Sequence, residues 1–152
     1  MTMTDNLQDA RAFYNRGNAC IAKGSYNEAI ADFDEAIGLN PQYADAFYNR
    51  GYAWFAKGDN DRAIADFNEA IWLNPQDAFA FNNRGIAWSD KGDNDRAIAD
   101  LNEAIRLNPQ DALAFYNRGG VWSAKGGKGR AIADFSSIRE IDRRTMLQRG
   151  PQ

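Results

Sequence analysis

Between Ala63 and Ile71 the residues Ala63, Ile64, Phe67, Ala70 and Ile71 form one apolar stripe at a period of 3.6 rather than a strand's alternation. That pattern predicts a helix with one buried and one wet face. The stripe does not stand alone: Ala29-Ile30-Ala31-Asp32 returns at Ala63, Ala97 and Ala131. Upstream of each copy a second pattern keeps the same step, with Phe13-Tyr14-Asn15-Arg16-Gly17 returning as Phe47 to Gly51, Phe81 to Gly85 and Phe115 to Gly119. A fixed 34-residue period marks an array of like supersecondary units. Each repeat is expected to hold two helices, an opener from about Ala10 to Lys23 and a partner from about Asn27 to Leu39 in the first copy. Gly24 and its equivalents Gly58, Gly92 and Gly126 suit the left-handed cap between them. Ser25, Asp59 and Asp93 suit the N-cap that follows, and Ser25 with Glu28 forms a formal capping box. Asn40-Pro41, Asn74-Pro75 and Asn108-Pro109 close three repeats.

Gly17, Gly51, Gly85 and Gly119 fall inside the opener, where glycine costs about 1 kcal/mol against alanine. A close crossing of opener and partner near Ala63 is the expected return, with Trp54, Trp88 and Trp122 filling the next layer. Cys20 stands where those tryptophans stand and reads as a small core residue.

These residues carry a family resemblance. In the second repeat Phe47, Gly51, Trp54, Ala63, Phe67, Ala70 and Pro75 match the tetratricopeptide repeat pattern, and the chain resembles a bacterial-type member with about four repeats. The resemblance implies an all-α, right-handed superhelical solenoid of antiparallel helix pairs. The division expected is a flexible tail at 1–8, repeats at about 10–43, 44–77, 78–111 and 112–142, and a helix extension or tail at 143–152. One departure recurs: the leucine usual before the helix glycine is arginine here, at Arg16, Arg50, Arg84 and Arg118. Each repeat also carries an aspartate, at Asp32, Asp66, Asp100 and Asp134, so Arg–Asp ion pairs within or between neighbouring repeats are expected. Solvation of both groups at the surface is the alternative.

Composition narrows the function. The chain has 152 residues, 44% of them hydrophobic, enough for a solenoid that packs only nearest neighbours. It has no histidine and one cysteine, which leaves little footing for catalysis or a metal, and no cofactor is expected. Gly126-Gly127-Lys128-Gly129 lacks the spacing and preceding strand of a phosphate loop, and Asp59-Asn60-Asp61 and Asp93-Asn94-Asp95 lack the glycine and distant glutamate of a calcium loop. The single cysteine and polar start point to a cytoplasmic setting, and no apolar run is long enough for a membrane span. A net charge of −3 argues against nucleic acid. Arg139, Arg143, Arg144 and Arg149 cluster near the end, but Glu140 and Asp142 interleave with them, as on a solvated helix face.

What remains is surface. In the fold that the resemblance implies, the opener helices line a concave groove, and a peptide-binding face is expected from Tyr14, Asn15 and Asn18 in the first repeat and from Tyr48, Asn49, Tyr52 and Phe55 in the second. Phe79, Asn82, Asn83 and Ile86 continue it in the third, and Tyr116 and Asn117 in the fourth. Asn15, Asn49, Asn83 and Asn117 form a column whose amides offer both donor and acceptor to an extended backbone. Family members among peptide-binding transferases and motor adaptors use a similar asparagine ladder. The alternative is that these asparagines bond a neighbouring repeat. On the first view, alanine at Asn49 and Asn83 weakens a ligand without moving the melting transition. The family's clamp for acidic chaperone tails is matched here only at Asn18 and Asn49, its basic positions falling on Tyr14, Phe79 and Asn83. The expected partner is therefore a less acidic, more apolar protein or peptide.

The fourth repeat loses its Asn-Pro and reads Ser136-Ser137-Ile138-Arg139, which aligns with the others through a one-residue deletion that sets Ile138 against Ile105. Its helix is expected to run toward Gln148 and stop near Gly150-Pro151, leaving Ile132, Phe135, Ile141, Met146 and Leu147 partly exposed. The alternative function is a structural module that self-assembles through this repeat, as a homodimer or head to tail.

Overall fold

The structure, a computed structural model, describes residues 2–149 and the side chains of 2–148. Among them are eight α-helices and no strand: α1 (Met3–Ala22), α2 (Tyr26–Leu39), α3 (Ala44–Ala56), α4 (Asn60–Leu73), α5 (Ala78–Asp90), α6 (Asn94–Leu107), α7 (Ala112–Ala124) and α8 (Lys128–Arg149). They form two compact units, Met1–Gln76 with α1 to α4 and Asp77–Gln152 with α5 to α8.

In the N-terminal unit α1 pairs with α2, α3 pairs with α4, and α2 packs against α3. The turn inside each pair follows from one glycine. Gly24 takes φ +74°, its N–H bonds Ile21 O at 2.9 Å, and Ser25 N–H bonds Cys20 O at 2.9 Å, which satisfies the carbonyls at the end of α1. Asp59 then caps α4 by accepting from Arg62 N–H at 3.1 Å. Ser25 heads α2 without a side-chain bond, so the capping box expected there does not form. It forms instead at α1, where Thr2 and Asp5 bond each other's backbone N–H at 2.8 and 3.2 Å. Residues 3–8, expected as a flexible tail, are the first turns of that helix.

The helix glycines admit large partner side chains. A Cβ placed at Gly51 would meet Phe67 Cε1 at 2.9 Å, and one at Gly17 would meet Phe33 Cε1 at 2.6 Å. The crossing brings the ring of Phe67 closest to Gly51, and at Gly85 the expected approach of the partner's chain is seen as well, with Ala97 O, the equivalent of Ala63, 3.2 Å from a Cβ placed there. Phe33 and Phe67 are fully buried, each contributing about 2–3 kcal/mol by leaving water.

In the C-terminal unit α5 pairs with α6, α7 pairs with α8, and α6 packs against α7. Ala97, Ile98, Leu101 and Val121 make its buried cluster, with Trp88 and Trp122 packed at the edge. The tryptophans are half-buried, and each is covered on one face by an arginine from its partner helix: Arg62 over Trp54 and Arg96 over Trp88 at 4.5 Å, and Arg130 over Trp122 at 4.3 Å. Helix α8 runs unbroken for 22 residues. The expected deletion is therefore absent, and Ser136 and Ile138 stand where Asp34 and Ala36 stand in α2. The expected stop at Gly150-Pro151 lies outside the described residues.

Candidate functional site

The face built from α1 and α3 carries seven of the expected groove residues. Tyr14 stacks on Tyr43 with ring centres 4.8 Å apart and lies 6.0 Å from Phe33, and Tyr48 lies 5.9 Å from Phe67. Tyr52 and Asn15 are exposed; Asn18 and Phe55 are half-buried. Asn49 donates its Nδ2 to Asn18 Oδ1 at 2.7 Å and to Tyr14 Oη at 3.2 Å. Its amide nitrogen is thus committed to tying α3 to α1, as the alternative reading of the asparagines expected.

The α5–α7 face repeats this arrangement and adds a cavity. Asn117 donates to Asn82 Oδ1 at 3.0 Å, and buried Asn82 donates to Asn83 Oδ1 at 3.3 Å. Phe79 and Tyr116 are exposed. Beside Asn117 opens a mainly apolar cleft of about 240 Å³, lined by Ile86, Ser89, Leu101, Tyr116, Asn117, Gly120, Val121 and Phe135. No charged side chain lines it. The opening comes from one position: where the other openers carry Asn18, Tyr52 and Ile86, the fourth carries Gly120, and a Cβ there would meet nothing within 4 Å. Ile86, Tyr116 and Asn117 are among the groove residues expected from sequence, whereas Gly120, Leu101, Val121 and Phe135 join the cleft only in the structure. The available signal was the lost side chain at this one repeat position.

The arginines and aspartates lie on the far side of the openers from these faces. Arg50 donates to both carboxylate oxygens of Asp66, at 2.8 and 2.7 Å, and to Asp34 of the preceding repeat at 2.6 Å. Arg84 holds Asp100 at 2.8 and 2.7 Å, Arg118 holds Asp134 at 3.0 and 2.5 Å, and Arg16 holds Asp32. All four aspartates are buried. Burial pushes the Asp66 carboxyl above its ordinary value against the pull of Arg50, while the bond to Asp66 holds the Arg50 guanidinium well up. Each pair ties an opener to its partner helix, and because both charges lose water on burial the pair is weak evidence for net stability. Cys20 is half-buried, its Sγ 4.0 Å from Asp32 Oδ2.

The model of the TPR repeat matches residues 17–58 and 89–126, and that of the tetratricopeptide repeat matches residues 44–77. The chain belongs to the tetratricopeptide repeat family. No curated protein matches it. Among solved structures, "Crystal structure of MamA" is similar at a TM-score of 0.87 and 24% identity over 91% of this chain and 81% of that one, which is a likeness of fold. "Arabidopsis OM64 TPR domain" is similar at a TM-score of 0.77 and 25% identity, over 78% of this chain and 98% of that domain. "First TPR of Spaghetti (RPAP3) bound to HSP90 peptide SRMEEVD" is similar at 0.77 and 25%, over 79% and 95%. The all-α tetratricopeptide solenoid class is thereby established, and with it a protein-interaction scaffold role. Asp59 and Asp93, whose neighbourhoods superficially resemble calcium loops, serve in these repeats as N-caps of α4 and α6. No helix among the described residues is long and apolar enough to cross a membrane.

Proposed function

We propose that this tetratricopeptide protein is a non-catalytic scaffold that holds an extended, largely uncharged segment of a partner protein, with one apolar side chain of that segment seated in the cleft of the α5–α7 face. The cleft carries the reading. It is apolar, uncharged and of side-chain size, and Asn117 at its edge supplies a polar group whose orientation its bond to Asn82 fixes. The solved repeat domain bound to the HSP90 peptide gives the general precedent of a peptide on a like fold. The acidic character of that peptide does not transfer, because Tyr14, Phe79 and Asn83 occupy the clamp's basic positions. Tyr14, Asn15, Asn18, Tyr48, Tyr52 and Phe55 serve in this reading as a second contact face on α1 and α3.

The test is selection from a displayed-peptide library against the wild-type chain and Gly120→Leu, which fills the cleft from an exposed helix position. Enrichment by wild type alone of a motif with one invariant apolar residue is the expected result. No enrichment, or equal enrichment by both proteins, refutes it.

One observation favours a second reading, self-assembly through the fourth repeat: Ile132 on α8 is exposed, whereas its counterparts Ile30 on α2 and Ile98 on α6 are buried.

A further inference from the structure

Partner helices in both units are covered by the opener that follows. Ile30 on α2, which packs against α3, is 7% exposed, and Ile98 on α6, which packs against α7, is 8% exposed. Ile132, at the same place on α8, is 63% exposed. A matching gap lies on α1. Arg50 and Arg118 each reach back to a polar residue of the preceding partner helix, Asp34 at 2.6 Å and Asn102 at 2.8 Å, and each side chain is 21% exposed. Arg16 bonds only its own Asp32 among the described residues and is 65% exposed. Ala12 is exposed where Ala46 and Ala114 are fully buried. Together Asp9, Ala12, Phe13 and Arg16 line an open hollow of about 450 Å³.

We propose that these two faces meet between copies of the chain: α8 of one copy seats on α1 of the next, head to tail, in the register of the internal repeats. The proposal rests on the self-assembly reading and adds the geometry. Ser136 stands in α8 where Asp34 and Asn102 stand in α2 and α6, so its hydroxyl, which within α8 accepts from Arg139 at 3.3 Å and keeps a second lone pair, is the acceptor that this register sets before Arg16. Extending the antiparallel register outward from Arg16 and Ser136 sets Asp9 level with Arg143 and Leu7 within a turn of Met146.

The lengths agree with this pairing. Helix α1 has 20 residues against 13 in α3, and α8 has 22 against 14 in α6. The additional turns lie at the ends that this register brings side by side, and both carry exposed apolar residues, Leu7 on one and Met146 on the other. Charge agrees as well, since the turns before Arg11 hold Asp5 and Asp9 with no cation, while in the last turns of α8 Arg139, Arg143 and Arg144 outnumber Glu140 and Asp142, with Arg143 and Arg144 both bonded to Glu140. An interface of two different faces leaves one of each unfilled on any open assembly, so growth continues with concentration.

Blocking each face separately tests this. Light scattering is read against concentration for wild type, Ala12→Arg, Ile132→Arg and an equal mixture of the two variants, with circular dichroism checking that each stays folded. The expected pattern is growth for wild type, monomer for each variant alone, and a closed heterodimer in the mixture, because each variant keeps one good face. The exposed pair Asp9→Lys and Arg143→Glu gives an independent reading, each alone weakening assembly and the double variant restoring it. Ser136→Asp, which copies Asp34, tightens assembly roughly threefold. Wild type that associates while Ala12→Arg still dimerises overturns the head-to-tail geometry in favour of α8 against α8. Wild type that stays monomeric at every concentration overturns self-assembly itself.

Discussion

Two alanine substitutions at helix glycines of openers are expected to move stability in opposite directions. In an unconstrained helix interior each gains about 1 kcal/mol from propensity. At Gly120 nothing lies within 4 Å of the new methyl group and the position is exposed, so the gain stands. At Gly51 the same methyl meets Phe67 Cε1 at 2.9 Å, Phe67 Cδ1 at 3.0 Å and Asp66 Cβ at 3.1 Å, inside a buried layer. Phe67 is fully buried and Asp66 is held by Arg50, so neither retreats cheaply. Overpacking of that kind costs about 1–3 kcal/mol, which leaves Gly51→Ala roughly 1 kcal/mol below wild type after the propensity gain. The two variants should differ by about 2 kcal/mol, or roughly 4–8 °C in Tm for a chain of this size. Urea denaturation followed by circular dichroism, with thermal melts alongside, measures both. Gly51→Ala at or above wild-type stability would show that the glycine is not there to admit the ring.

Asp66→Asn removes the buried charge facing Arg50 and should cost about 2–3 kcal/mol in urea denaturation; a loss below about 0.5 kcal/mol would mean that Arg50 does not depend on this carboxylate. Asn49→Ala deletes both bonds from α3 to α1 and should lower stability by about 1–2 kcal/mol, whereas an unchanged melt would return this residue to a purely ligand-facing role. Glu140 is held at about 2, against an ordinary 4.5, by side-chain bonds from Arg143 and Arg144. A carboxylate whose folded value is depressed stabilises the fold above its ordinary value and loses that contribution as pH falls toward the folded one. The last turns of α8 should therefore hold their backbone chemical shifts down to pH of about 4.5 and fray between there and about 2, with Glu140→Gln showing no such step.

The repeat period, the helix pairs and the glycine caps were all readable because each is a local signal copied along the chain. The Arg–Asp partners share one 16-residue spacing, so a charge at a core position in every repeat pointed to an equally regular counter-charge. What escaped was non-periodic. Thr2 and Asp5 start α1 early through a capping box that no other repeat has, and the uninterrupted α8 showed that no deletion was needed once Ile138 took an alanine's place. Asn49 illustrates a different limit: sequence places it on the inner face, but only geometry shows that its nitrogen is occupied by Tyr14 and Asn18. Gly120 is a related case: the lost side chain is visible in the repeat alignment, but it matters only because Leu101, Val121 and Phe135 surround the space it leaves.

Methyl-resolved NMR of the wild-type chain titrated with a capped, uncharged pentapeptide bearing a central leucine tests the proposed cleft most directly. Shifts concentrated at the methyl groups of Ile86, Leu101 and Val121, absent at Ile30 and abolished by Gly120→Leu, are the expected result. Shifts confined to Ile132 on α8, or a response at the cleft that Gly120→Leu leaves intact, would contradict it.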